Sequence, residues 1–170
     1  MRVQTLDAVE QDIVIDVIKD AFQAPPWNMI MPESEIIPRL TMFVPGTKRT
    51  LAAVDGLEIC GLIWYGIART ETLPAEIVSF LERFPDDVPC VYCAATAVRL
   101  QRQSQGIGRQ LTVAAHQVIA AQYPRYVMYS RMRSDNPRII NVRQSQGFKR
   151  TGISEEQYGV KDEWWYKTQL

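Results

Sequence analysis

The sequence predicts a mixed α/β fold with a mixed sheet flanked by helices, and three observations carry that prediction. Runs with strand-like composition alternate along the chain with runs whose apolar residues recur at helical spacing. Asp55-Gly56, a favoured turn pair, joins two β-rich runs and so signals an antiparallel hairpin. A strand over 91–100 leads through a turn with two glycines straight into a helix. At 170 residues the chain is long enough for one domain with a sizeable core and short for two, so residues 1–170 are read as one.

Val3 to Leu6 reads as a first strand, with Asp7 as the cap of a helix that follows. Residues 10–22 place Ile13, Val14, Val17, Ile18, Ala21 and Phe22 on one helical face. Pro25-Pro26 forbids continuation and opens a loop. Ile36, Ile37, Leu40 and Phe43 predict a second helix over 33–43, with Pro38 either in its first turn or breaking it. The hairpin strands are 50–54 and 58–65. A third helix covers 75–84 and stops at Pro85. The helix after the glycine turn carries a stripe of Leu111, Ala114, Ala115, Val118 and Ile119, Tyr126 to Met132 is a strand, and 137–146 is a short helix. Gly147-Phe148 turns the chain into the last strands, which include Trp164-Trp165-Tyr166.

Composition excludes several classes of partner. Lysines and arginines equal aspartates and glutamates at 19 each, which gives no electrostatic footprint for nucleic acid or an anionic membrane. No apolar run approaches the roughly 20 residues needed to span a bilayer, and no export signal follows Met1. The expected compartment is the cytoplasm. Cys60, Cys90 and Cys93 make an odd set, and a zinc site would have only Cys60 and His116 to complete the Cys90-Val-Tyr-Cys93 pair. On a strand, residues three apart face opposite ways, so the pair reads as structural thiols and no metal is expected.

The informative unit is Val98-Arg-Leu100-Gln-Arg-Gln103-Ser-Gln-Gly106-Ile-Gly108. Glycines at the entry to a helix let the backbone come close to a ligand, and the unpaired N–H groups of the first turn suit a phosphate or pyrophosphate. A P-loop would need Gly-Lys-Ser/Thr, but Arg109-Gln110 follows Gly108; a Rossmann turn would need a third glycine where Leu111 stands. The segment resembles motif A of the GNAT acyltransferases, a strand ending in Val-x-Pro followed by x-x-Gln/Arg-x-x-Gly-x-Gly/Ala. Leu100 departs from it by standing where proline is usual. Asn136, with Gly147-Phe148 eleven and twelve positions on, is similar to the next motif of that family.

The resemblance implies a GNAT fold over nearly the whole chain and acetyl-CoA as cosubstrate. It implies that Ala97 and Val98 offer backbone groups to the pantetheine arm. Gln103, Ser104, Gln105, Gly106, Ile107 and Gly108 would cradle the pyrophosphate, and Asn136 would contact the cofactor by its amide. The implied activity is N-acetyl transfer to an amine of a small molecule or peptide. The alternative is a CoA-binding sensor with weak or no catalysis, which the helix after Asn136 motivates. Family members often carry a tyrosine seven positions after that Asn to serve the leaving sulfur, and here the position is Arg143. Arg143 reads either as a guanidinium that stabilises the thiolate or grips a phosphate or acidic group, or as a solvated residue on an exposed face. Tyr92 is a second catalytic candidate, where some members place an acid; Asp86 and Asp87 read as solvated loop carboxylates. His116 falls off the apolar stripe and reads as a surface residue. Trp27, Trp64, Tyr65, Trp164, Trp165 and Tyr166 read as core or interface more than acceptor pocket. Because 164–166 places rings on both faces of a strand, a second copy is expected to cover one of them, giving a homodimer.

Overall fold

The central strands show one face to one helical layer and the other face to a second, so alternation along them assigns most of their apolar side chains to one of two cores. The computed structural model describes residues 1–6, 11–23, 25, 27–157 and 159–170. In chain order the elements are β1 (Arg2–Thr5), α1 (Gln11–Phe22), α2 (Glu33–Thr41), β2 (Arg49–Asp55), β3 (Glu58–Gly66), α3 (Ala75–Leu81), β4 (Cys90–Val98), α4 (Ile107–Gln122), β5 (Tyr126–Arg133), α5 (Pro137–Ser145), β6 (Lys149–Gln157) and β7 (Val160–Gln169). Strands pair in the order β1-β2-β3-β4-β5-β7-β6. Among the described strands only β4 and β5 run parallel, and α4 supplies the crossover that such a pair requires.

One core lies beneath α1 to α3: Val14, Val17, Ile18, Ile36, Leu40 and Ile77 pack on Leu62, Trp64, Tyr92 and Trp164. The other lies beneath α4, whose Ile107, Leu111, Ala115 and Ile119 pack on Ile63, Cys93, Met128 and Trp165. Cys90 and Cys93 face opposite layers, as residues three apart on a strand should, and all three cysteines are free thiols. No helix among the described residues is long and apolar enough to cross a membrane.

Several expectations shift. Asp7 and Pro26 lie outside the described residues. Pro38 sits inside α2 without ending it, on an exposed side where the carbonyl left without a donor can reach water. The hairpin turn is Gly56-Leu57, because Asp55 already pairs with Glu58; positive φ falls on Gly56 alone, as a II′ turn requires. Val118 is exposed, and buried Thr112 takes the place in the stripe by donating its hydroxyl to Gly108 O at 2.7 Å. The aromatic run needs no second copy. Trp164 lies in the α1 core beside Tyr92 and Tyr129, Trp165 in the α4 core, and Tyr166 meets Phe80 edge to face at 5.0 Å.

Candidate functional site

The turn between β4 and α4 is built to leave donors free. Ser104 and Gly106 both take positive φ, at 62° and 78°, which curls the backbone before the helix begins. Gln103 N–H is already bonded to Leu100 O, and Gln110 N–H is the first to bond back, to Gly106 O. Between them the N–H groups of Ser104, Gln105, Gly106, Ile107, Gly108 and Arg109 find no acceptor among the described residues, and no side chain caps the helix. The free run is therefore 104–109 and not the 103–108 read from sequence. The Gln103 side chain is a strut: its amide donates to Val98 O at 3.1 Å and Ala21 O at 3.4 Å, tying the turn to β4 and α1. The N–H that Leu100 restores relative to proline donates to Asp20 Oδ2 at 2.7 Å, so the departure fastens α1 to the same turn.

The two glycines differ. Gly106 needs its left-handed conformation, and a Cβ there would meet nothing within 4 Å. A Cβ on Gly108 would rest 3.8 Å from Thr96 Cγ2 and Val98 Cγ2, an ordinary contact at ordinary φ. Gly106→Ala is thus expected to cost about 1–2 kcal/mol, read in a thermal melt as a Tm fall of about 2–8 °C. Gly108→Ala should hold or raise Tm; equal losses at both positions would contradict this division.

Beyond the turn the sheet opens. β4 and β5 pair only at Cys90–Val127, Val91–Met128 and Tyr92–Tyr129. From there β4 continues along β3 to Val98 while β5 continues along β7 to Arg133, leaving a wedge. A bulge bends β4 at this point: Trp64 pairs with Ala95 and Tyr65 with Cys93, so Ala94 has no partner on either side. Ser130 Oγ donates to Cys93 O at 2.9 Å across the apex, a side-chain bond where the ladder stops. Because Arg99 N–H bonds Cys60 O, alternation turns Ala97's backbone groups toward β3 and those of Thr96 and Val98 into the wedge. Ala97, expected to face a ligand, gives way to Thr96, whose buried hydroxyl has no partner.

Two cavities meet there. The larger, about 250 Å³, is lined by the glycine turn, Thr96, Val98, Asn136 and the cations Arg102, Arg109 and Arg138. The smaller, about 120 Å³, is lined by Arg39, Arg131, Arg133, Arg143 and Asp162 among others. Phe22, Trp27, Thr96, Asn136 and Ile139 line both, so the two form one passage through the wedge. Asn136 is the N-cap of α5, its amide oxygen accepting from Ile139 N–H at 3.3 Å, which leaves its NH₂ for the passage. Arg109 and Arg138 stand in the first turns of α4 and α5, neither of which holds an acid. Cations are disfavoured at that end of a helix dipole unless an anion joins them. Sequence reading missed both, although a lone cation in an acid-free first turn is a visible signal.

Arg143 is buried, 1% exposed, and not a solvated residue. Phe148 and Cys93 enclose it: Cζ lies 5.1 Å from the Phe148 ring centre, and Nη2 donates to Cys93 Sγ at 2.9 Å. Its Nε and Nη1 are buried without hydrogen-bond partners among the described residues. Tyr92 lines neither cavity; it stacks on Tyr129 at 5.1 Å, and burial holds its phenol protonated, which removes it as a base. His116 is not a surface residue. It stacks on Phe148 at 5.6 Å, and burial, with Arg143 and Lys167 nearby, pushes its pKa down to about 3. A ring so reluctant to take a proton, with Nε2 shut away, is a poor general base. No group of three or more metal-ligating side chains occurs among the described residues.

No family model matches the sequence, and no curated protein matches it. Solved structures do. A ribosomal-protein-alanine N-acetyltransferase from Brucella melitensis superposes with TM-score 0.69 at 17% identity, over 99% of each chain. A Bacillus subtilis acetyltransferase in complex with CoA gives 0.63 at 14% identity, again over 99% of each chain. An aminoglycoside 6′-acetyltransferase type Ii gives 0.66 at 16% identity, over 100% of this chain and 98% of that one. The chain has the GNAT N-acetyltransferase fold; at such identities the likeness speaks for fold alone.

Proposed function

We propose that this chain is, over residues 1–170, a single-domain N-acetyltransferase that moves an acetyl group from acetyl-CoA to an amine of a small molecule or peptide. One observation carries the reading. Six consecutive N–H groups, Ser104 to Arg109, find no acceptor among the described residues and open into a passage that continues to a wedge in the sheet. In this reading the N–H groups of Ser104, Gln105, Gly106, Ile107 and Gly108 cradle the pyrophosphate, with Arg109 and Arg138 as counter-charges. Gln103 holds the turn in place. Val98 and Thr96 give the pantetheine arm a strand edge, with Ala97 fixing that edge against β3, and the Asn136 NH₂ meets the arm from α5. The acetyl group then lies near the bulge, where Ala94 has no ladder partner and its N–H is the candidate to polarise the thioester carbonyl.

The neutral amine attacks that carbonyl carbon, the C–S bond breaks, and the nitrogen gives up its proton. The sulfur departs as a thiolate beside the Arg143 guanidinium and takes a proton to become the CoA thiol. A guanidinium stabilises charge but is no proton donor, so Arg143 does half of what a tyrosine does there. That difference favours a second reading, a CoA-binding sensor with little catalysis.

Thermal shift separates these from any other phosphate ligand. CoA near 100 times its Kd is expected to add about 2.7 kcal/mol, a rise of about 5–11 °C for a chain of this size. ATP and NAD should give much less. Equal shifts by all three would overturn the CoA reading. Thiol release across an amine panel then decides between transfer and sensing, since a sensor binds CoA and releases no thiol.

A further inference from the structure

The smaller cavity carries information about the acceptor that charge totals hide. Its floor is the α1-side face of β5 and β7, where Arg131 stands opposite Trp164 and Arg133 opposite Asp162. Arg131 divides itself between Glu155 Oε1 at 2.9 Å and Asp162 Oδ2 at 3.4 Å. Arg133 is gripped by both oxygens of Asp135, at 2.9 and 2.7 Å, with its guanidinium 4.6 Å from the Trp27 ring centre. These two cations are spoken for. Two features are left over. Asp162 is 3% exposed, and its Oδ1 is buried with no hydrogen-bond partner among the described residues although the residue lines the cavity. Half-buried Arg39 of α2 lines the same cavity; it makes no hydrogen bond or ion pair among the described residues, and its charge acts on Asp162 only through space.

An unsatisfied buried carboxylate oxygen costs free energy that a donor would recover. The donor that suits it is an ammonium or amine, and the partner that suits a guanidinium with no hydrogen-bonded acceptor is a carboxylate. The space, about 120 Å³, is below the about 300–1,000 Å³ of sites for drug-sized ligands and fits a compact molecule. We propose that the acceptor is a small amine that also carries a carboxylate, an amino acid or a close relative, seated with its nitrogen against Asp162 and its carboxylate against Arg39. The assignment rests on the acetyltransferase reading above and names its substrate class. It also excludes long polycations, for which Arg39 and Arg143 would be repulsive neighbours. Burial raises the Asp162 carboxyl above the usual range, which suits a group that receives the amine's proton.

The test uses the whole chain with acetyl-CoA and a panel of amino acids, their carboxamides and the corresponding decarboxylated amines. Thiol release is followed, and thermal shift is recorded with CoA saturating. The free acids are expected to exceed their carboxamides in kcat/KM by about tenfold or more, and to add stabilisation on top of CoA. Arg39→Gln should narrow that preference, chiefly through KM for the acids. Carboxamides or decarboxylated amines used as well as the acids would overturn the proposal, as would a preference that Arg39→Gln leaves intact. A protein that CoA stabilises but that shows neither turnover nor further stabilisation with any acid also overturns it. If CoA itself gives no shift, the acetyltransferase reading fails first, and the proposal falls with it.

Discussion

Arg143→Met is expected to leave the fold as stable as before, or more so, while lowering turnover of acetyl-CoA by about a hundredfold. The two halves of that result follow from one arrangement. Among the described residues the guanidinium is buried with no carboxylate in ion-pair distance; it meets the Cys93 sulfur and the Phe148 ring, and Nε and Nη1 find no hydrogen-bond partner. Burying a cation without an anion costs several kcal/mol, of which a cation–π contact returns about 1–2. Methionine fills a similar volume without that cost, so Tm should hold or rise. A charge kept in such a place is a feature of function more than of stability. Its position says which function. Arg143 lines the charged end of the passage, whereas Arg102, Arg109 and Arg138 line the phosphate end. Loss should therefore fall on kcat, with CoA affinity changing little. A fall in CoA affinity at constant kcat would move Arg143 to the phosphates, and unchanged kinetics would leave the charge without a catalytic task.

Sequence reading reached the glycine turn because its chemistry is local. Gly106 needs left-handed backbone, Asn136 caps the next helix, and both roles follow from residue type and near neighbours. Strand and helix periods were legible for the same reason, including the opposite facing of Cys90 and Cys93. Arg143 was not legible. Helix α5 mixes polar and apolar residues with little periodicity, and what buries the arginine is Cys93, fifty positions earlier in the chain, which reaches it only through the β4–α4–β5 crossover. His116 was misread in the same way: Phe148 covers it from beyond α5. One face of the 164–166 run was given to a partner because a strand shows two faces, and only the assembled layers reveal that Trp164 and Trp165 are both covered from within the chain. Thr96 is different. Its parity with Val98 was available in the sequence, and alternation along β4 would have selected it over Ala97.

Gly61→Val should damage both the sheet and the site, because it strikes the strand edge on which the passage depends. A Cβ on Gly61 would lie 2.8 Å from Ala97 O and 3.3 Å from Val98 Cα and Cγ2. Two of those three atoms are backbone, so no rotamer change relieves the contact. Separating the strands would strain the Leu62–Ala97 pair, and β3 cannot retreat the other way because it is already crimped where Ala53 pairs with Gly61 and Val54 with Ile59. What can yield is the end of β4, which has no neighbour on its β5 side, and it would yield into the wedge. Overpacking of this kind costs about 2–3 kcal/mol, a Tm fall of about 4–12 °C. Displacing Val98 and Thr96 should weaken CoA binding as well, by about tenfold if one strand-edge hydrogen bond of about 1.4 kcal/mol is lost. Calorimetry below the lowered Tm measures the second effect apart from the first, and Gly61→Ala should move both in the same direction by less. A Gly61→Val protein that melts lower yet binds CoA unchanged would show that the backbone of β4 beyond the bulge is not what the cofactor rests on.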